Sequence, residues 1–186
     1  KEHSRIKGVI GVDALVTLTQ SLTSGPPLKD SKGRLTLHIN TLANKFMNLQ
    51  NKQIWVFDNL DKRSDKEKEL FNRSQKRHEI FEHISYGQAI KDLKEMLDIL
   101  GIVYITTPPK VEGETYLVEM KRMGIIDHIL STDTDILAYG EDLLSYRKGE
   151  YTVYRINDIL KNLNMDIHKF RVMCVILGTD FSPKIK

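Results

Sequence analysis

Short, unbroken apolar runs alternate along this chain with longer stretches in which apolar residues recur every three or four positions. Residues 8–14 (GVIGVDA), 53–58 (QIWVFD), 102–106 (IVYIT) and 125–132 (IIDHILST) are runs of the first kind. They are rich in Val and Ile and bounded by polar or turn residues, which predicts strands buried on both faces. Residues 35–50 predict a helix with Leu35, Ile39, Leu42, Phe46 and Leu49 on one face. Residues 88–100 predict a second, carrying Ile90, Leu93, Met96, Leu97 and Leu100. Gly101 suits its left-handed C-terminal position. Further helices are expected over 112–123, ended by Gly124, and over 155–163 and 166–177. Residues 142–147 and 151–154 fit a β-hairpin around Lys148-Gly149. Residues 23–34 (TSGPPLKDSKGR) carry turn chemistry, and Pro108-Pro109 stop the third strand.

Strands that alternate with helices predict an α/β fold: a mostly parallel, twisted central sheet with helices on both faces. One domain is expected over residues 1–186. The charged, weakly amphipathic stretch 61–85 reads as an insertion into it. No run approaches the roughly 20 apolar residues needed to cross a bilayer, so no membrane partner is expected. The first residues (KEHSRIKGV) lack the apolar core of a signal peptide. The lone Cys174 excludes an internal disulfide, and its apolar helical surroundings predict a core position. An intracellular location is expected, nuclear if the host is a eukaryote. A chain that starts at Lys1 without Met and stops at SPKIK is expected to be part of a longer protein.

Candidate chemistry sits at the ends of the strands. Three apolar runs finish in aspartate, at Asp13, Asp58 and Asp133. In a parallel sheet these ends share one edge, where α/β folds bind their ligands. Asp135 follows Asp133 at the i+2 spacing that faces the same side of an extended or turning chain. Glu112 and Glu114 open a helix, where carboxylates suit the local dipole. Carboxylates gathered this closely must take up protons or a cation. Oxygen donors without a cysteine pair select Mg²⁺ or Mn²⁺ over zinc. Each acid alone could be a helix cap or a solvated first turn; their order along the chain carries the signal.

That order resembles the XPG-type flap endonucleases of the PIN-like nuclease superfamily. The resemblance rests on Ile10-Gly11-Val12-Asp13-Ala14, on Val56-Phe57-Asp58-Asn59, and on Met96 to Ile102 leading through Pro109 to Glu112-Gly113-Glu114. It continues through Ser131-Thr132-Asp133-Thr134-Asp135 with Tyr139-Gly140, and Leu177-Gly178-Thr179-Asp180-Phe181-Ser182-Pro183. It covers nearly the whole chain. It implies a metal site built from Asp13, Asp58, Glu112, Glu114, Asp133, Asp135 and Asp180. All seven positions are acidic. Setting them apart leaves 18 acidic against 28 basic residues, a balance of +10 that suits a polyanionic partner. The chain departs from the family at Thr19, where an aromatic would stack a nucleotide, and at Gly113, usually alanine. The family's amino-terminal Met-Gly segment and its C-terminal duplex-binding helix–turn–helix are expected to be missing, the latter truncated after 180.

The basic residues of 62–77 read, on composition alone, as a solvated helix with ion pairs. The resemblance places them instead in a helical arch above the metals. It gives Lys66 and Arg73 a catalytic role on the scissile phosphate, and Lys62, Arg63, Lys76 and Arg77 a role in binding nucleic acid. Of the histidines, His38, His78, His83 and His128 make no metal-binding spacing with one another. His128 is expected to be a core or sheet residue. The implied activity is phosphodiester hydrolysis by two Mg²⁺ ions, with Mn²⁺ as substitute and no small-molecule cofactor. The expected enzyme is a monomer acting on DNA with a 5′ flap, 5′ end or junction, in replication, repair or recombination. A sliding clamp or other repair protein would bind through a part not present here. Two alternatives stand beside it: a PIN-type ribonuclease on the same fold, and a non-catalytic nucleic-acid-binding scaffold.

Overall fold

The computed structural model describes residues 6–22, 24, 28–34, 36–48, 51–59, 86–147 and 150–177. The insertion expected at 61–85 lies outside the described residues, as do its basic residues Lys62, Arg63, Lys66, Arg73, Lys76 and Arg77.

The strands are β1 (Val9–Asp13), β2 (Lys52–Phe57), β3 (Val103–Thr106), β4 (His128–Leu130), β5 (Leu143–Arg147) and β6 (Glu150–Tyr154). The helices are α1 (Ala14–Leu22), α2 (Leu37–Asn48), α3 (Tyr86–Ile99), α4 (Gly113–Arg122), α5 (Asp135–Ala138), α6 (Ile156–Leu163) and α7 (Ile167–Leu177). The sheet runs β3-β2-β1-β4-β5-β6. Its first five strands are parallel, and β6 returns antiparallel to β5 as the expected hairpin. Because β1 pairs with both β2 and β4, the strand that ends in Asp13 lies in the middle.

Alternate residues of each strand feed opposite faces. Ile10, Val12, Trp55, Phe57, Leu130 and Leu144 join α1, α2 and α3 in one apolar cluster. Val56, Ile129 and Leu143 join α4, α5, α6 and α7 in the other. Helices therefore cover both faces, as the alternating pattern predicts. Gly11 explains how α4 comes so close to β1. A Cβ there would collide with Ile126 and sit 2.7 Å from Leu117.

Helix α3 ends as its sequence predicts. Gly101 takes φ +65°, Ile102 donates to the Leu97 carbonyl at 2.9 Å and Gly101 to that of Asp98 at 3.1 Å. This is the paired closure that a left-handed glycine allows. Helix α4 closes in the same way at Gly124.

Three expectations need correction. The buried face of α2 is formed by Leu37, His38 and Leu42, while Ile39 is only partly buried. Leu35, Leu49 and the side chain of Phe46 lie outside the described residues. The fourth strand spans only His128–Leu130, because the turn at Gly124 leaves Ile125 exposed and Asp127 turns its carboxylate back to the Val9 amide at 2.7 Å. Cys174 is half-buried, and its neighbours Val175, Ile176 and Leu177 face outward. His128 is a sheet residue as expected, its ring meeting the Lys7 carbonyl at 3.0 Å.

His38 was set aside by the period of α2 because a histidine reads as polar. Its ring is fully buried, and Nε2 lies 3.0 Å from Asp92 Oδ2 on α3. Asp92→Ala is expected to lower the unfolding free energy by about 1–3 kcal/mol in urea titrations, the cost of stranding a buried polar ring. An unchanged midpoint would show that the pair contributes nothing to docking α2 on α3.

Candidate metal centre

The parallel register sets three strand ends side by side. Asp13 pairs with Val56 of β2 in the ladder, so Asp58 follows two residues beyond that rung. Val12 pairs with Leu130 of β4, and Ser131, Thr132 and Asp133 come next. One edge of the sheet thus receives the acids of three separate strands.

Asp13 is the most deeply set, only 5% exposed. One carboxylate oxygen accepts the Val16 amide at 3.1 Å, capping the helix that starts at Ala14. The other accepts the Ser131 hydroxyl at 3.1 Å. Ser131 Oγ in turn accepts the Asp133 amide at 3.0 Å, and Asp133 Oδ1 accepts the Asp135 amide at 3.0 Å. A continuous chain of hydrogen bonds therefore runs from β1 to the first residue of α5.

On the other side of Asp13, Asp58 accepts the Gly113 amide at 2.6 Å. This contact plants the first turn of α4, with Glu112 as its N-cap residue and Glu114 buried, directly against Asp58. A Cβ at Gly113 would stand 3.3 Å from Asp58 Oδ1, tighter than most such contacts. Glycine at this position lets the carboxylate close on the backbone.

The electrostatics follow from this crowding. The Asp13 carboxyl is pushed up from 3.8 to about 6, chiefly by burial. The charges of Asp58 and Asp133 add to the rise, and the bonds from Val16 and Ser131 oppose it. Asp58 and Asp133 are thus close enough to Asp13 for each to weigh on its proton. The structure brings Asp13, Asp58, Glu112, Glu114, Asp133 and Asp135 to this edge, while Asp180 lies outside the described residues.

Among the described residues, no three acidic, histidine or cysteine side chains form a ready-made metal cage. Mg²⁺ does not require one. It is commonly held by one or two carboxylates, with waters and substrate phosphates completing its octahedron. An all-carboxylate donor set fits such an ion.

Two neighbours of the acids escaped the sequence reading. Ser131 is 3% exposed and joins Asp13 to Asp133. It stands inside a quoted motif, so a hydroxyl just before the strand-end acid was the available signal. Tyr86 opens α3, and its hydroxyl lies 3.0 Å from Thr19 Oγ1 and donates to the Leu15 carbonyl at 3.3 Å. Burial, with the charges of Asp13 and Asp58, pushes its phenol up to about 12. Its contacts lie some 70 positions away, and no local pattern announces them. A cavity of about 820 Å³ opens at the opposite end of the sheet, between Val9, Ile54, Ile99, Val103 and Ile125. It contains none of the acids.

The raised Asp13 carboxyl has a thermodynamic consequence. Between the unfolded value near 3.8 and about 6 the folded state holds the extra proton, so stability is full below this window and falls as pH rises through it. In a metal-free buffer, Asp13→Asn is expected to stabilise the protein at pH 7.5 by on the order of 2–3 kcal/mol. The gain should shrink toward zero at pH 4 in thermal melts. A variant less stable than the wild type at pH 7.5 would contradict the electrostatic assignment.

Residues 101–180 match the XPG I-region. Flap endonuclease 1 of Methanopyrus kandleri is 28% identical over 94% of this chain and 61% of its own length. That of Pyrococcus furiosus is 28% identical over 94% and 64%. This chain therefore spans a little under two thirds of these curated relatives. Among solved structures, the flap endonuclease-1 from Methanococcus jannaschii shares the fold with a TM-score of 0.76 and 24% identity, over 96% of this chain and 67% of that one. A catalytic core of Rad2 in complex with a DNA substrate gives a TM-score of 0.73 and 25% identity, over 99% and 58%. With the acids of three strands gathered at one edge of a sheet of this order, the chain carries an XPG I-region and is similar over nearly its whole length to flap endonuclease 1, whose solved relative shares its fold.

Proposed function

We propose that this chain is the core of a divalent-metal-dependent, structure-specific DNA nuclease that hydrolyses phosphodiesters at a 5′ flap, 5′ end or junction. The observation that carries the reading is a pair of contact paths through the acids at one sheet edge: the Gly113 amide, between Glu112 and Glu114, on Asp58, and Asp13 through Ser131 to Asp133 and Asp135. Helix capping accounts for single acids among these, and a hard dication accounts for their gathering at one sheet edge.

Asp13, Asp58, Glu112, Glu114, Asp133, Asp135 and Asp180 are the residues that would hold two Mg²⁺ ions, or Mn²⁺ in their place. Such ions supply a hydroxide nucleophile at neutral pH and stabilise the departing oxygen. The chain's own part is to bury Asp13 and Glu114 and to hold the carboxylates at fixed spacing. Ser131 orients Asp13, and the Gly113 amide orients Asp58. Lys66 and Arg73, with Lys62, Arg63, Lys76 and Arg77 around them, would neutralise the scissile phosphate and the strand leading to it. Recognition would run through the phosphate backbone and be steeply weakened by salt. The enzyme would act as a monomer, and contact with a sliding clamp or repair protein would fall to parts of the protein beyond this core.

The test is Asp133→Ala on flapped DNA and on single-stranded RNA. In Mg²⁺ the variant should lose at least about a hundredfold in cleavage rate, while its affinity for flapped DNA measured in Ca²⁺ stays within a few fold of wild type. Retention of most activity would remove Asp133 from the site. Wild-type cleavage of the RNA alone would favour a ribonuclease, and cleavage of neither would favour a binding scaffold.

A further inference from the structure

Helix α5 has only four residues, Asp135–Ala138, yet it follows directly on Asp133 and begins with Asp135. A helix that short cannot hold itself together in water. Its amino end is fixed by the Asp133 carboxylate on the Asp135 amide, and its middle by Ile136 and Leu137, which are buried. Its carboxyl end carries carbonyls that a helix leaves unpaired, and here two arginines from different helices reach them. Arg171 of α7 donates from Nε to the Ala138 carbonyl at 2.7 Å and from Nη2 to that of Tyr139 at 3.2 Å. Arg122 of α4 donates to the same Tyr139 carbonyl at 3.1 Å. Arg122 is itself held by Glu119 at 2.7 Å and Glu141 at 3.6 Å. The Tyr139 hydroxyl lies 2.9 Å from Thr115 Oγ1, one residue beyond Glu114. Gly140, at φ +88°, then turns the chain away.

We infer that Arg171 and Arg122 are positioning residues that lock the Asp133–Gly140 turn and thereby fix Asp133 and Asp135 relative to Glu112 and Glu114. The reasoning is mechanical. One rigid turn of helix bears carboxylates at one end and a three-way clamp at the other. The clamp draws on α4, the helix that opens with Glu112 and Glu114, and on α7. Planar guanidinium groups suit this task because one group can span two successive carbonyls, which an ammonium on a flexible stem does less well. Neither arginine touches a reacting atom, so both act through the aspartates. This inference rests on the metal-nuclease reading for its catalytic consequence, but not for its mechanical one.

The experiment compares wild type with Arg171→Ala, Arg171→Lys and Arg122→Met in the full protein, by three readouts. Amide hydrogen exchange over residues 135–140 should quicken at least tenfold in Arg171→Ala while exchange in β1 and β2 stays at the wild-type rate. Mn²⁺ affinity by calorimetry should fall about tenfold. The maximal cleavage rate should fall with KM for flapped DNA held, and Arg171→Lys should recover part of all three. Unchanged exchange and Mn²⁺ affinity in Arg171→Ala would overturn the inference, as would exchange that quickens equally in every strand. Should Arg171→Ala fail to fold, Arg122→Met and Arg171→Lys decide by the same criteria. If the wild type does not cleave DNA, the nuclease reading fails, and hydrogen exchange and Mn²⁺ affinity still decide for or against the clamp.

Discussion

Like-charged carboxylates do not gather at one sheet edge without cause, and this constraint organises the molecule. Asp13 is buried close to Asp58 and Asp133, and burial with their charges pushes its carboxyl up from 3.8 to about 6. Its Val16 and Ser131 hydrogen bonds recover only part of that cost. A fold under pressure only to be stable would place an apolar or neutral residue at the end of its central strand. A carboxyl buried where its charge is expensive is the kind of group that functional sites collect.

The rest of the scaffold can be understood as what holds those acids in place. Parallel pairing of β1 with β2 and β4 sets their three carboxyl ends at one level. Gly11 lets α4 lie close on β1, and Gly113 lets the start of α4 close on Asp58. Ser131 ties the β4 end to Asp13, and two guanidinium groups secure the short helix beyond it. On the opposite face, Tyr86 anchors the start of α3 to α1, the helix that Asp13 caps. Each device is a close approach or a side-chain hydrogen bond, and most act at the edge where the charge is concentrated.

Much of this was legible in the sequence because an apolar run ending in an acid needs no knowledge of its partners. VIGV before Asp13 and IWVF before Asp58 are strands in the structure, and Gly101 and Gly124 close their helices as read. What escaped was long-range. Leu42 of α2 is buried as read, but His38 was missed because it looks polar and meets its partner, Asp92, 54 residues away. The fourth strand was drawn too long because Ile125 is apolar but sits outside the ladder. Cys174 was expected in the core but is only half-buried, at the border between the packed face of α7 and the exposed Val172, Val175, Ile176 and Leu177. Arg122 and Arg171 left no trace because their acceptors are backbone carbonyls, which every residue has. The basic stretch 62–77 and Asp180 lie outside the described residues, so their roles rest on the resemblance in sequence.

The most direct test is whether the acidic edge binds dications, and how many. Mn²⁺ can be titrated into wild type and into an Asp13→Asn/Asp58→Asn double variant, with the free ion followed by electron paramagnetic resonance. Two ions bound per wild-type chain and none by the folded double variant are expected. Equal binding by both proteins, or none by the wild type, would contradict a shared carboxylate pocket.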